Sequence, residues 1–189
     1  SNILIRDGGI RGVTISLVKN FSNISYLKNQ KILAGAGVNC IKLSRDCALK
    51  SLKGLEFFSG IPGTVGGAIR MNAGAYGQET SDILEKLVTV NKRGKTKEYN
   101  KDELKMSYRK NSLNKDEIIL QALFKCKKGK KKHIQDDINE LRERRQKTQP
   151  ITLKTSGSTF KNPVNLQAWK LIKQSGCSKL KKGGAEVSL

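Results

Sequence analysis

Six glycines and one proline fall within the segment Gly60–Gly77 (GIPGTVGGAIRMNAGAYG), in which Arg70 is the one charged residue. Glycine loses more backbone entropy on folding than other residues, so this density needs a compensating interaction. Close approach to an anionic ligand supplies one, because consecutive N–H groups form a concave nest for phosphate oxygens. The stretch Thr64–Asn72 can also begin a helix, whose N-terminus favours phosphate. The glycine run therefore predicts a cradle for a diphosphate-bearing cofactor or substrate; a buried turn between core elements is the alternative.

Three further polar motifs follow the glycine run: Ser107–Lys110 (SYRK), Ser156–Pro163 (SGSTFKNP) and Gly183–Ser188 (GGAEVS). An arginine can hold a carboxylate by two parallel hydrogen bonds, and a polarised hydroxyl can deliver a proton. Taken alone, however, Arg109 is one of 37 basic residues, and Ser158 is an ordinary loop or cap serine.

Composition excludes several classes of protein. Four scattered cysteines and a single histidine, His133, argue against a zinc site and against a Ser-His-Asp or Cys-His mechanism, so the cysteines are expected to be reduced structural thiols. No apolar stretch approaches the roughly 18 residues of a membrane span, and no signal peptide opens the chain. We therefore expect a cytoplasmic protein with no membrane partner.

The formal net charge of +21 is compatible with nucleic-acid binding. The lysines, however, are spread along the chain, and the dense cluster Lys125–Lys132 lacks interleaved aromatic residues for base stacking. A solvated basic surface is the favoured interpretation, and we expect no nucleic-acid partner.

Periodicity and turn residues predict a mixed α+β chain. Strands are predicted over 2–6, 12–17, 31–36, 85–90, 96–99 and 117–124, and again after Gly183-Gly184. Helices are predicted over 40–52, from 134 to about 147, and over 166–174 with Asn165 as cap and Gly176 as end. A domain boundary is expected near residue 130. The abrupt ends at Ser1 and Leu189 predict an interior part of a longer protein.

The four motifs, in this order, resemble the UDP-N-acetylenolpyruvoylglucosamine reductase family, and Ser1-Asn2 is similar to the end of that family's G-S-N flavin-contacting turn. The resemblance implies an FAD-binding domain of the vanillyl-alcohol-oxidase (PCMH) type over 1–128. The start of an α+β substrate-binding domain would follow over 133–189. It further implies that NADPH reduces FAD, and that the reduced flavin passes hydride to the enolpyruvyl group of a UDP-sugar.

The resemblance also implies roles for particular residues. Arg109 would stabilise the enediolate-like charge, and Ser158 would donate the proton. The UDP-sugar would contact Tyr76, Lys161 and Asn162, with Arg145 and Gln149 as vaguer candidates; Tyr76 is equally well explained as a buried structural residue. The residues implied for the flavin are Ser1, Asn2, Gly60, Ile61, Pro62, Gly63, Thr64, Val65, Gly66, Gly67, Asn72 and Gly74.

Two departures from the family pattern matter. The family's third catalytic residue, a glutamate, lies beyond the G-G-A-x-V-S motif, and no acidic residue here takes that role. Glu186 stands where the family often has glutamine. The resemblance also implies that the family's first flavin-domain strands and most of its glycine turn would precede Ser1. We therefore expect weak FAD binding by this chain and, without the glutamate, little turnover, so an inactive remnant is one alternative. A lysine-rich nucleic-acid-binding protein and another oxidase of the same fold are the others. The sequence leaves the oligomeric state open.

Overall fold

The computed structural model describes residues 5–149 and 157–187. The chain divides into two compact units, residues 1–147 and 148–189. The helices are α1 (Cys40–Leu49), α2 (Val65–Arg70), α3 (Lys131–Thr148) and α4 (Ala168–Gln174). The strands are β1 (Ile24–Tyr26), β2 (Lys31–Gly35), β3 (Leu52–Lys53), β4 (Gly74–Ala75), β5 (Gln78–Glu79), β6 (Leu84–Val90), β7 (Thr96–Asn100), β8 (Ile118–Lys125), β9 (Lys127–Lys128), β10 (Lys181–Lys182) and β11 (Ala185–Glu186).

A five-stranded antiparallel sheet in the order β1-β2-β8-β6-β7 organises the first unit. Alternate residues of its central strands are buried, including Ile32 and Ala34 on β2 and Ala122 and Phe124 on β8. This period of two is the burial pattern of a sheet with one face on the core. The strands predicted over 31–36, 85–90, 96–99 and 117–124 are therefore confirmed.

The core lies against this sheet and includes residues of α1, α2 and a 3₁₀ turn at Glu56–Gly60. Phe57 and Phe58 of that turn are fully buried, and the Phe58 ring meets Phe124 edge-on with centroids 6.1 Å apart. Ile134 and Ile138 of α3 pack against Ala48 of α1 in a smaller apolar cluster. The helices predicted from 40 and from 134 are confirmed, although α1 ends three residues early, at Leu49.

The predicted strand over 12–17 is wrong: these residues form no regular structure, and Val13 is 88% exposed. The alternation of apolar residues suits a strand, but a strand also needs a hydrogen-bonding partner, and no described strand pairs with this segment. Of the strand predicted over 2–6, residues 2–4 lie outside the described residues. Ile5 and Arg6 are not in a strand.

The second unit contains α4 and a hairpin of β10 and β11, with Gly183 in a left-handed conformation (φ +60°) at its turn. The helix predicted over 166–174 is confirmed in a shorter form, and Gly176 ends it as predicted. Asn165 does not cap it, because the Ala168 amide donates instead to Oδ1 of Asn162 at 3.0 Å. The strand predicted after Gly183-Gly184 is β11.

The carboxylate of Glu117 connects the start of β8 to β6 and β7. Its Oε1 accepts hydrogen bonds from the hydroxyls of Tyr99 at 2.7 Å and Thr89 at 3.1 Å, and its Oε2 accepts one from the Asn114 amide at 3.0 Å. Burial alone would raise the pKa of Glu117. The hydrogen bonds to its charged form outweigh that effect, so its pKa lies below the ordinary value.

We expect Glu117→Gln to lower stability at neutral pH, because glutamine offers one acceptor where three donors converge. A carboxyl group whose pKa is lower in the folded chain contributes its full stabilisation of the fold at pH values above its unfolded-state pKa, about 4.3 for glutamate. That contribution is lost as the pH falls through the folded-state pKa. The difference in free energy of unfolding between the variant and the parent chain should therefore become smaller as the pH is lowered from about 7 to about 3. Urea unfolding measures it, with Glu140→Gln on the exposed face of α3 as control. A difference that persists in acid would contradict this assignment.

Candidate cofactor and substrate site

The glycine run leaves the core at the 3₁₀ turn and passes beside α1. The Ile61 amide donates to the Phe58 carbonyl at 3.1 Å, so the buried aromatic turn fixes where the run begins. Pro62 is exposed, and Gly63 adopts φ +144°. Thr64 then pairs with Asn39 as an isolated antiparallel bridge and stands at the N-cap position of α2.

Part of the run packs against the turn between β2 and α1. The amides of Val65 and Gly66 each donate at 2.9 Å, to the carbonyls of Val38 and Ala36 respectively. In return, the Cys40 amide donates to the Gly63 carbonyl at 3.0 Å. A Cβ at Gly66 would lie 2.9 Å from Cβ of Ala36, so glycine at this position permits the close approach. The amides of Val65 and Gly66 are therefore used by the protein itself.

Other amides at the same place have no acceptor within the part of the chain that the structure describes. No described residue accepts a hydrogen bond from the backbone N–H of Asn39, Gly63, Thr64 or Gly67. Gly67 and Asn39 are exposed, and a Cβ at Gly67 would meet only Oγ1 of Thr64 at 3.7 Å. Several N–H donors on two adjacent turns suit the oxygens of a diphosphate, so the residues present fit the anionic part of FAD.

The turn between β2 and α1 is a component that the sequence reasoning missed. Gly35 and Gly37 lie against the backbone of the segment 17–23, and their amides donate to Asn23 and Phe21. Asn39 caps α1, since its Oδ1 accepts from the Lys42 amide at 3.0 Å. The signal was present as two glycines at a spacing of two, followed by a capping residue directly after a strand.

Arg109 lies at a tight turn whose ends, Ser107 and Lys110, exchange two backbone hydrogen bonds of 3.0 Å. Its backbone is left-handed, with φ +54°. Its guanidinium donates to the carbonyls of Asn72 and Gly74, each at 3.3 Å. The structure therefore places the predicted catalytic arginine on the far end of the glycine run, although the two are more than thirty residues apart in sequence.

Asn72 is fully buried and joins three chain segments through its side chain. Its amide nitrogen donates to Oε2 of Glu79 at 2.7 Å and to the Ser107 carbonyl at 3.2 Å, and its Oδ1 accepts from the Ser81 amide at 3.0 Å. Its own carbonyl accepts from Arg109. The side chain of Asn72 is thus engaged within the protein, and its contact with the flavin stays a prediction.

Tyr76 and Gly77, both with positive φ, form the two-residue turn between β4 and β5. The Tyr76 hydroxyl donates to the Leu141 carbonyl of α3 at 3.0 Å, and the Arg144 guanidinium lies over its ring at 5.6 Å. A Cβ at Gly60 would lie 3.3 Å from the same ring. These contacts give Tyr76 a role in attaching α3 and leave its contact with a UDP-sugar a prediction.

The remaining predicted residues lie elsewhere in the chain. Ser158, Lys161 and Asn162 are exposed residues of the second unit, and Oδ1 of Asn162 accepts a hydrogen bond from the first amide of α4. Ser1 and Asn2 lie outside the described residues. The first unit thus brings Arg109, Tyr76 and the glycine run together.

Three of the four cysteines, Cys40, Cys47 and Cys126, are buried. Burial raises the pKa of Cys40 and Cys126 to about 12, and it raises the pKa of Cys47 as well. Thiols that stay protonated at neutral pH are weak nucleophiles, which suits a packing role. No cluster of three potential metal ligands occurs among the described residues, and none of their helices is long and apolar enough to cross a membrane.

Comparison with known proteins agrees with this geometry. Residues 1–100 match a model of an FAD-binding domain. Residues 149–189 match the C-terminal domain of UDP-N-acetylenolpyruvoylglucosamine reductase. These two matches confirm the fold class that the sequence implied. It consists of an FAD-binding domain followed by the start of a reductase C-terminal domain.

Relatives extend the match to the whole chain. UDP-N-acetylenolpyruvoylglucosamine reductase of Rickettsia bellii is 43% identical over all of this chain, which spans 62% of that relative. This chain is 44% identical to the enzyme of Rickettsia akari and spans 63% of its length. The crystal structure of the Thermus caldophilus enzyme superimposes with a TM-score of 0.76 at 34% identity, covering 83% of this chain and 58% of that one. The chain therefore belongs to the UDP-N-acetylenolpyruvoylglucosamine reductase family.

Proposed function

We propose that the chain carries part of a cytoplasmic flavoenzyme that uses NADPH to reduce UDP-N-acetylglucosamine enolpyruvate to UDP-N-acetylmuramate, a step in making peptidoglycan precursors. The names of its relatives and the FAD-binding match support this reaction class. The observation that carries the proposal is the position of Arg109, whose guanidinium is held on the carbonyls of Asn72 and Gly74. These carbonyls belong to the same glycine run whose earlier residues present backbone amides with no acceptor among the described residues.

The backbone amides of Asn39, Gly63, Thr64 and Gly67 would hold the diphosphate of FAD, which supplies a hydride when bound. The amides of Val65 and Gly66 keep the two turns together and so set the spacing of the donors. In this proposal the region 1–128 binds FAD and the region 133–189 begins the substrate domain. The compact first unit extends further, to Lys147, because α3 packs on α1.

Arg109 is suited to the carboxylate of an enolpyruvyl group. Its planar guanidinium can give that carboxylate two parallel hydrogen bonds. When hydride reaches the terminal carbon of the enol ether, negative charge develops on the conjugated carboxylate. A preorganised cation stabilises this charge without reorganising at the moment of reaction. The two carbonyls that accept from Arg109 supply the preorganisation, because they orient the guanidinium before substrate arrives.

A proton must then reach the adjacent carbon, and we assign it to the Ser158 hydroxyl. Ser158 lies on an exposed loop of the second unit, which has no regular structure from 157 to 163. Lys161 on the same loop would pair with a phosphate of the UDP-sugar, and Asn162 would fix the loop through its bond to the start of α4. Tyr76 is assigned to the sugar-binding side of the first unit.

The test is one round of reduction by the chain reconstituted with FAD. After NADPH is added, the UDP-N-acetylmuramate formed is measured by mass spectrometry in the parent chain, in Arg109→Lys and in the control Arg93→Lys. Arg93 lies in the exposed turn between β6 and β7. Loss of an oriented donor to developing charge costs about 100- to 1,000-fold in rate, so we expect that loss in Arg109→Lys with FAD affinity unchanged.

The control and the parent chain should agree within about twofold, since Arg93 lies outside the proposed site. Equal rates in Arg109→Lys and the parent would overturn the role of Arg109. FAD binding without any product would identify the chain as an inactive remnant of the enzyme. Absence of FAD binding would overturn the proposed cofactor site.

A further inference from the structure

Arg70, the last residue of α2, binds the main chain of one distant loop through its guanidinium. Its Nη1 donates to the Leu113 carbonyl at 3.2 Å. Its Nη2 lies within hydrogen-bond distance of the carbonyls of Asn114 at 2.9 Å, Lys115 at 3.4 Å and Glu117 at 2.8 Å. The Arg70 side chain thus contacts four backbone carbonyls of the loop 111–117. This loop connects the Arg109 turn to β8.

The loop in turn binds the end of α2. The side-chain nitrogen of Asn111 donates to the carbonyls of Ile69 at 3.1 Å and Arg70 at 2.8 Å. Carbonyls in the last turn of a helix have no partner within the helix, so these two bonds satisfy groups that would otherwise need water. Each segment therefore binds the backbone of the other through one side chain, Arg70 of α2 and Asn111 of the loop. We call these two sets of hydrogen bonds the clamp.

Arg109 lies two residues before the loop and in a backbone conformation that needs support. A left-handed conformation is unfavourable for a non-glycine residue, and it persists where the surroundings impose it. On one side the Arg109 turn contacts Asn72 and Gly74, which directly follow α2. On the other side the loop 111–117 leads to Glu117, which is held by Tyr99 and Thr89. Arg70 binds the loop to α2, the same helix that is followed by Asn72 and Gly74, so both sides of the Arg109 turn are connected to α2.

We propose that Arg70 is a positioning residue for Arg109: it holds the loop 111–117 on α2, and thereby keeps the Arg109 guanidinium on the carbonyls of the glycine run. This inference rests on the proposed function of Arg109. The geometry requires arginine rather than lysine, because carbonyls spread over five residues need the fixed fork of a guanidinium. A lysine ammonium is a single point from which three donors radiate.

The direct test observes Arg109 itself. The Nε–H signal of Arg109 in a ¹⁵N NMR spectrum, assigned by its loss in Arg109→Lys, is compared in the parent chain, Arg70→Lys, Arg70→Met and the control Arg93→Met. Hydrogen exchange of the segment 105–117 is measured on the same samples. We expect a shifted or broadened Arg109 signal in both Arg70 variants, and exchange of that segment accelerated about 10-fold or more. Arg93→Met should leave both unchanged.

A kinetic comparison separates positioning from a general loss of stability. In chains loaded with FAD, well below the unfolding temperature, Arg70→Met should slow reduction of the UDP-sugar about 10- to 100-fold while FAD affinity changes less than about twofold. An unchanged Arg109 signal and unchanged exchange in Arg70→Met would overturn the inference whatever the activity. If the NMR and exchange changes occur and no chain forms product, the clamp stands and the proposed reaction fails.

Discussion

Asn72→Asp is expected to lower the free energy of unfolding by about 2–4 kcal/mol at neutral pH, the largest effect we predict for a change of so few atoms. The new oxygen would replace the amide nitrogen that now donates to Oε2 of Glu79 and to the Ser107 carbonyl. Two partly buried acceptors would lose their donor, and two carboxylates would face each other. The backbone at Asn72 has φ +40°, which aspartate tolerates nearly as well as asparagine, so the side chain accounts for the loss.

The loss in Asn72→Asp should depend on pH in a defined direction. Two carboxyls at hydrogen-bond distance cannot both ionise cheaply, so the folded variant retains a proton that the unfolded chain releases. A group that holds its proton more tightly when folded loses stability as pH rises. The deficit should therefore be small near about pH 4 and full above about pH 7.

Denaturant unfolding at both pH values measures this deficit. Asn20→Asp, which adds the same charge at an exposed residue before β1, is the matched control and should change stability by less than about 0.5 kcal/mol. An equal deficit in acid and at neutral pH would show that the facing carboxylates are not its cause. No deficit at all would mean that the side chain of Asn72 does not join the segments as described.

Gly66→Ala and Gly67→Ala are expected to change stability in opposite directions, although the same methyl group is added to neighbouring residues of α2. In a helix, alanine is favoured over glycine by about 1 kcal/mol, and this gain applies to both. At Gly66 the methyl would lie 2.9 Å from Cβ and 3.2 Å from the carbonyl oxygen of Ala36, where backbone must move. At Gly67 its nearest neighbour is Oγ1 of Thr64 at 3.7 Å, an ordinary contact.

The net expectation is a loss of about 1–2 kcal/mol for Gly66→Ala, in which overpacking exceeds the helix gain. Gly67→Ala should gain about 0.5–1 kcal/mol. Pushing α2 away from Ala36 also breaks the Gly66–Ala36 hydrogen bond that holds the two donor turns together. We therefore expect FAD affinity to fall about 10-fold or more in Gly66→Ala. Thermal unfolding and flavin fluorescence titration measure the two effects. Equal stability changes in the pair would contradict the close contact with Ala36.

Elements whose signals are local were predictable from the sequence. The strands β2, β6, β7 and β8 and the helices α1 and α3 follow from the period of their apolar residues and from turn residues such as Gly94 between β6 and β7. The segment 12–17 shows where that reasoning fails. Its alternation suits a strand, but pairing depends on a partner distant in sequence, which periodicity does not specify.

The sequence by itself determined the glycine-rich segment, the reductase-like order of the motifs and the candidate roles of Arg109 and Ser158. Only the tertiary structure decided which amides of that segment remain for a ligand, because Val65 and Gly66 donate to Val38 and Ala36, about thirty residues away. It also decided that Asn72 donates a hydrogen bond to Glu79 and that Arg70 binds the carbonyls of the loop 111–117. The physical reason is that residue type specifies what a group can bind, whereas chain packing specifies which partner comes within 3 Å of it.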